Sequence, residues 1–301
     1  MNEKLLSLAA ELKHRIRGQE QVITPVVGVL QRGELGLTPQ GRSKGSFLFL
    51  GPTGVGKTKL ALVFTELLLG KEYLHRFDMS EYQHADQIKN LIGDESGYEG
   101  RLGEVLAKWG KGTLLFDEME KAHPKIMDVF LQMMDAARIT VGRNKRHDLS
   151  NFYIVFTSNL AARDLMEVQN LPQSRLKNYV LEVLNDQLRP ELVARINEKQ
   201  VFNKLTYPVQ REIAQLTLDE ELLRLRLLGY DLKPEPEVLE FLVRHGIDKV
   251  YGARPLRDTV ERFVQGAVVR ALLEKRAASG CLGVGQLADE LILMNEAVVI
   301  D

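Results

Sequence analysis

A chain of 301 residues, 45% of them hydrophobic, is long enough for two globular domains with separate cores. Lys plus Arg number 40 and Asp plus Glu 41, a formal net charge of -1, so neither a global basic field for nucleic acid nor the acidic excess of a disordered chain is present. One cysteine, Cys281, rules out an internal disulfide. The N-terminal MNEKLLSLAAELKHR has no leader-like apolar core, and no apolar run approaches the ~18 residues of a spanning helix, so a cytoplasmic protein without membrane contact is expected.

Leu5, Leu6, Leu8, Ala9 and Leu12 recur at helical spacing, and a second helical pattern runs from about Glu20 to Leu30. Gly33 to Gly45 reads as a connecting loop. From Ser46 to Leu69 the chain reads SFLFLGPTGVGKTKLALVFTELLL, an apolar strand, a glycine-rich loop and an amphipathic helix. Gly51, Pro52, Thr53, Gly54, Val55, Gly56, Lys57 and Thr58 match G-x-x-x-x-G-K-[ST], the phosphate-binding loop. Glycines let backbone N–H groups turn toward one point, and the helix that follows adds its positive end. Lys57 can reach the outer phosphates, and Thr58 offers a hydroxyl to Mg²⁺, so a nucleoside triphosphate and Mg²⁺ are the expected ligands.

Further strands are predicted at Leu74–Phe77, Thr113–Phe116, Phe152–Thr157 and Gln200–Leu205, with helical patterns between them. Ile126, Val129, Phe130, Met133 and Met134 form one apolar helix face, which makes the methionines core residues. Strands alternating with helices predict a parallel sheet with its ligand at the strands' C-terminal ends. Asp117-Glu118 and Ser158-Asn159 follow two of these strands. Asp117 can orient Mg²⁺ through its water shell, Glu118 can polarise an attacking water, and the Asn159 amide can bind both that water and a phosphate oxygen. After Tyr207-Pro208 helices dominate, over about 209–228, 236–245 and 255–276. A turn region at Gly280–Gly285 and a small strand or hairpin at Leu291–Ile300 follow. The expected domains are 1–206, an α/β nucleotide domain with an N-terminal helical segment, and 207–301, a smaller helical domain. The six histidines are dispersed, so no protein-held zinc is expected.

The succession GPTGVGKT, DMSEY at Asp78–Tyr82, LLFDEMEKAHP at Leu114–Pro124, TSN at Thr157–Asn159, RPELVARIN at Arg189–Asn197 and YGARPLR at Tyr251–Arg257 resembles the AAA+ ATPases of the Clp type, above all the second ATPase module of ClpB-like disaggregases. The resemblance covers nearly the whole chain. It implies an AAA+ nucleotide domain with a flanked parallel sheet, a small helical domain, and a homo-oligomeric ring, usually hexameric, that hydrolyses ATP to remodel a protein client. It implies that Ile16, Arg17, Gly18 and Gln19 lie against the adenine and that Asn159 senses the terminal phosphate. It also implies that Arg195 reaches the neighbour's nucleotide and that Arg254 couples the small domain to the nucleotide.

Gly97-Tyr98-Glu99-Gly100 occupies the place of the family's pore-facing aromatic loop, with Glu99 where an aliphatic residue is usual. Tyr98 is therefore the candidate client-gripping residue, and the charge of Glu99 beside it predicts a preference for basic or polar client segments. Arg138, Arg143, Lys145 and Arg146, with His147, lie in a region that resembles a second pore-facing loop and read as a solvated hairpin with some subunit contacts, the alternative being contact with substrate or an acidic partner. The segment after Asn159 lacks the tripeptide of protease-docking relatives, so no protease partner is expected. Nor is a nucleic-acid partner expected. A nucleic-acid motor or loader, and an ATP-gated assembly switch, remain the alternative readings.

Overall fold

The structure, a computed structural model, describes residues 2–160, 173–248 and 251–294. The segment read for a protease-docking tripeptide and the end of the last apolar run lie partly outside these described residues. The chain divides into two compact units, one built mainly from residues up to Lys204 and the other from Leu205 onward.

In the first unit, helices α1 (Asn2–Arg15) and α2 (Glu20–Glu34) precede β1 (Gly45–Leu50) and α3 (Lys57–Leu68). Then come β2 (Leu74–Asp78), the short α4 (Ile88–Ile92), α5 (Gly100–Lys108), β3 (Gly112–Asp117) and α6 (Pro124–Ala136). A hairpin of β4 (Arg138–Val141) and β5 (Lys145–Asp148) leads to β6 (Phe152–Ser158), and β7 (Glu198–Val201) closes the sheet. The five-stranded sheet has the order β2-β3-β6-β1-β7, and all its pairings are parallel. Every residue of β1, β3 and β6 is buried, as expected when helices cover both faces of a parallel sheet.

The two-residue alternation of a strand sorts the aromatic side chains. Phe47 and Phe49 meet Phe64, Tyr153 and Phe202 in one layer, while Phe77, Phe116 and Phe156 stack in another under Phe130 of α6. Phe116 is fully buried and touches three rings, with centroids 5.3, 4.8 and 5.5 Å away. Phe116→Ala is expected to lower stability by about 3–5 kcal/mol in denaturant unfolding, because three neighbours cannot collapse into one ring's volume. A loss under ~1 kcal/mol would contradict this packing.

Register places the strand ends side by side: Leu50 faces Ser158, and Asp78 faces Asp117. The loops after β1, β3 and β6 therefore open at one edge of the sheet. No described helix is long and apolar enough to cross a membrane.

The second unit is mainly helical, with helices Tyr207–Leu227, Pro236–Gly246 and Leu256–Leu273. They share a core of Leu218, Phe241, Leu242, Val260, Val264 and Ala271 with a three-stranded sheet of β8 (Leu232–Pro234), β9 (Gly280–Val284) and β10 (Leu291–Met294). Gly280–Gly285 is thus not the expected turn. Leu282 is fully buried and anchors the segment as the middle strand, and the turn comes later, where Ala288 N–H bonds to the Gly285 carbonyl at 2.9 Å.

Candidate functional site

The loop after β1 uses glycine where other residues would be strained. Gly51, Gly54 and Gly56 have φ of 141°, 75° and 106°, a region open to glycine and costly for a side chain. A Cβ on Gly51 would stand 2.7 Å from the Phe202 carbonyl oxygen, so the loop packs too closely on the chain after β7 for any side chain there. Lys57, in the first turn of α3, is buried with its ammonium folded back into the loop. It donates to the carbonyls of Gly51 (2.6 Å) and Pro52 (2.7 Å) and to Asn159 Oδ1 (2.9 Å). Burial lowers the ammonium to about 8, against the opposing pull of Glu120, Asp117 and Glu118.

The acidic side of the site comes from β3 and β6. Asp117 is buried, and the Thr58 hydroxyl lies 3.3 Å from each of its carboxylate oxygens. Arg76 Nη2 reaches Asp117 Oδ2 at 2.6 Å, and the Thr157 hydroxyl donates to Oδ1. A hydroxyl beside a nearly desolvated carboxylate is a hard-oxygen donor set that suits Mg²⁺. Thr157 also accepts from the Glu118 N–H at 3.1 Å, tying β6 to the turn after β3. Glu118 itself has a left-handed backbone, φ 56°. Its Oε1 accepts from Asn159 Nδ2 at 3.2 Å, and its Oε2 lies 2.5 Å from Lys121 Nζ. The Asn159 N–H is held by Glu120 Oε1 at 2.9 Å, while Glu120 Oε2 is buried without a hydrogen-bond partner among the described residues.

Lys57, Thr58, Asp117, Glu118 and Asn159 thus converge, although they come from three loops. Four neighbours had not been singled out from the sequence: Arg76, Thr157, Glu120 and Lys121. Glu120 and Lys121 stand inside the DEMEK string and Thr157 inside TSN, so proximity in sequence was an available signal. For Arg76 there was none.

The Ile16–Gln19 segment is also fixed in this unit. Ile16 is buried, and a Cβ on Gly56 would lie 3.9 Å from its Cγ2. The Gln19 side chain is fully buried and bonds both ways with Asn203, at 2.8 and 3.0 Å. Gly18 turns at φ 70°, and Arg17 is half-buried.

Arg195, at the end of helix Pro190–Arg195, stands apart from the Lys57 cluster. It is paired with Asp135 of α6 and donates to the Glu191 carbonyl at 3.3 Å. It lines a cavity of about 660 Å³ with Arg42, Asn197 and Lys199. Arg254 belongs to the second unit, exposed in the turn that opens helix Leu256–Leu273.

Tyr98 is 42% exposed, but Glu99 is not the free charge expected beside it. Its carboxylate accepts from Lys145 Nζ at 2.7 Å and faces His147 Nε2 at 3.3 Å, and the Lys145 hydrogen bond leads in holding it below the usual carboxylate range. Arg143 Nε donates to the Glu95 carbonyl at 2.7 Å and Gly142 N–H to Ile92 at 2.8 Å, so the Tyr98 loop is clamped to the β4–β5 hairpin. This removes the physical reason for a basic-segment preference. The expected solvated hairpin is present, with Arg138, Arg143, Lys145 and Arg146 exposed.

A glycine-rich loop, a buried lysine and an acidic pair at the C-terminal ends of a parallel sheet are the features of the P-loop class of nucleotide-binding modules. A family model described as an AAA domain of the Cdc48 subfamily matches residues 42–199, and one described as the C-terminal D2-small domain of ClpB protein matches residues 205–282. The chain belongs to the AAA+ ATPases of the Clp type, as a module like the second ATPase module of ClpB. It is 36% identical over 279 residues to chaperone protein ClpB 2 of Nostoc sp., covering 90% of this chain and 32% of the relative. To ClpB of Meiothermus ruber it is 38% identical over 286 residues, 92% and 34% of the two chains. It spans about a third of the length of these curated relatives. Among solved structures, an S. cerevisiae Hsp104-ADP complex matches with a TM-score of 0.87 and 31% identity, covering 98% of this chain and 53% of that one. A closed-state reconstruction of Hsp104 with ATPyS and FITC casein matches at 0.86 and 31%, covering 97% and 52%.

Proposed function

We propose that this chain is the ATP-hydrolysing module of a ring-forming, Clp-type remodeller of protein clients. The observation that carries the reading is the hydrogen-bonded chain from Lys57 through Asn159 to Glu118, which joins a phosphate-binding cation to a candidate base through one amide. In this reading Lys57 exchanges its loop carbonyls for phosphate oxygens, and Thr58 and Asp117 hold Mg²⁺, which supplies charge neutralisation at the phosphates. Glu118 orients the attacking water and takes its proton, with Asn159 aligning that water against the terminal phosphate. Ile16, Arg17, Gly18 and Gln19 border the adenine. Arg195 serves a neighbouring subunit's nucleotide, and Arg254 links the small domain to nucleotide state, since a planar, permanently charged guanidinium suits phosphoryl charge that changes on hydrolysis. A six-membered ring and a cytoplasmic location belong to the same proposal.

Tyr98 is the proposed contact to client: an exposed, amphipathic ring on a glycine-bounded loop grips varied peptide without sequence demands. The test is ATP turnover measured in parallel with an unfolded polypeptide, DNA and RNA. Stimulation by the polypeptide alone is expected, and Tyr98→Ala should bring the ratio of stimulated to unstimulated turnover down toward one. Stimulation by nucleic acid alone would overturn the reading in favour of a nucleic-acid motor. A Tyr98→Ala protein that remodels a verified client as well as the parent would favour an assembly switch.

A further inference from the structure

The side chain that occupies the candidate base is Lys121, three residues further along. A single 3-10 turn over Met119–Lys121, closed by the Lys121 N–H to the Glu118 carbonyl at 2.9 Å, puts ammonium and carboxylate on the same side of the chain. The result is the 2.5 Å contact of Lys121 Nζ with Glu118 Oε2, while Asn159 takes Oε1. Both oxygens of Glu118 are therefore engaged. The other cations of the site lie elsewhere: Lys57 on the loop carbonyls and Asn159, Arg76 on Asp117. Lys121 is held above its ordinary range by the Glu118 hydrogen bond first, with Glu118, Glu120 and Asp78 adding their charges. The side chains of Lys121 and Glu118 are 46% and 24% exposed, so water competes for both. Such a pair contributes little to the fold and separates readily.

We propose that Lys121 is a positioning residue that restrains Glu118 in the resting site and must let go of Oε2 for each hydrolysis. Asn159 connects this restraint to the phosphate position, because its carbonyl faces Lys57 Nζ at 2.9 Å and its amide faces Glu118. When phosphate oxygens take Lys57, Asn159 is released from it and the Glu118 carboxylate can turn from Lys121 toward the water. This rests on Glu118 acting as the water-activating group.

The test is steady-state ATP hydrolysis by the assembled protein carrying Lys121→Met, Lys121→Gln or Lys121→Arg, with Glu118→Gln and the Glu118→Gln, Lys121→Met double variant alongside. Loss of the cation should raise kcat about threefold or more with KM for ATP within about twofold, for both Met and Gln. Arginine should restore the restraint and bring kcat back toward the parent value. The double variant should be as inactive as Glu118→Gln, showing that the gain passes through that carboxylate. Met and Gln variants at or below the parent kcat, or an Arg variant raised as much as they are, would overturn the restraint. Parent-like turnover by Glu118→Gln alone would instead remove the reading beneath it, and is separately visible.

Discussion

Glu118→Gln is expected to bind ATP about as tightly as the parent while hydrolysing it at least ~100-fold more slowly, the size of a lost general base. The amide has nearly the shape of the carboxylate but cannot accept a proton from water. Lys57, Thr58 and Asp117 keep their positions, because Asp117 is fixed by Arg76 and Thr157, not by Glu118. Titration with a fluorescent nucleotide alongside phosphate release separates the two effects. Lys57→Ala is the contrasting variant: it removes the buried ammonium held by two loop carbonyls and Asn159, the cation proposed to meet the phosphates, so its loss should appear first in binding. Turnover by Glu118→Gln near the parent rate would reject the assignment.

Arg195→Ala is expected to lose about 10³ in turnover in the assembled state while still binding nucleotide, as a missing arginine finger does. Within one chain Arg195 has no contact with Lys57, Asp117 or Glu118; its partners are Asp135 and the Glu191 carbonyl. If it acts on a nucleotide, that nucleotide belongs to another subunit. Specific activity of the parent should then rise steeply with protein concentration. The Asp135 pair is half-exposed, with side-chain accessibilities of 35% and 51%, so exchanging it for a phosphate in an interface meets only a small barrier. A monomer verified by light scattering that hydrolyses ATP as fast as the assembled form would exclude the role.

The candidate site could be assembled from the chain because its parts are local. The loop from Gly51 to Thr58 is contiguous, and its glycines, lysine and threonine each answer to a backbone or phosphate requirement that holds in any fold. Asp117, Glu118 and Asn159 could be read because each follows an apolar run, and in a parallel sheet the ends of such runs gather at one edge. The longer helices followed from helical sequence patterns, whereas the short helices Ile88–Ile92 and Pro190–Arg195 carry too few apolar residues to show a period. Likeness to Clp-type motifs, not spacing, singled out Arg195, Arg254 and Ile16–Gln19.

Other features depend on distances between residues far apart in sequence. Whether Glu99 presents a free charge beside Tyr98 depended on Lys145 and His147, over forty residues later, folding back as a hairpin against it. No local pattern encodes that meeting. Gly280–Val284 became a strand because Leu282 found a core and two neighbouring strands; its glycines alone argue for a turn. Even Lys121, only three residues from Glu118, required the left-handed backbone of Glu118 and the Thr157 bond that holds it before the two charges could meet. Residue type and spacing decide which groups can do chemistry. Register and side-chain electrostatics decide which partner each group has, because both depend on separation in space, and only the packed chain sets that separation.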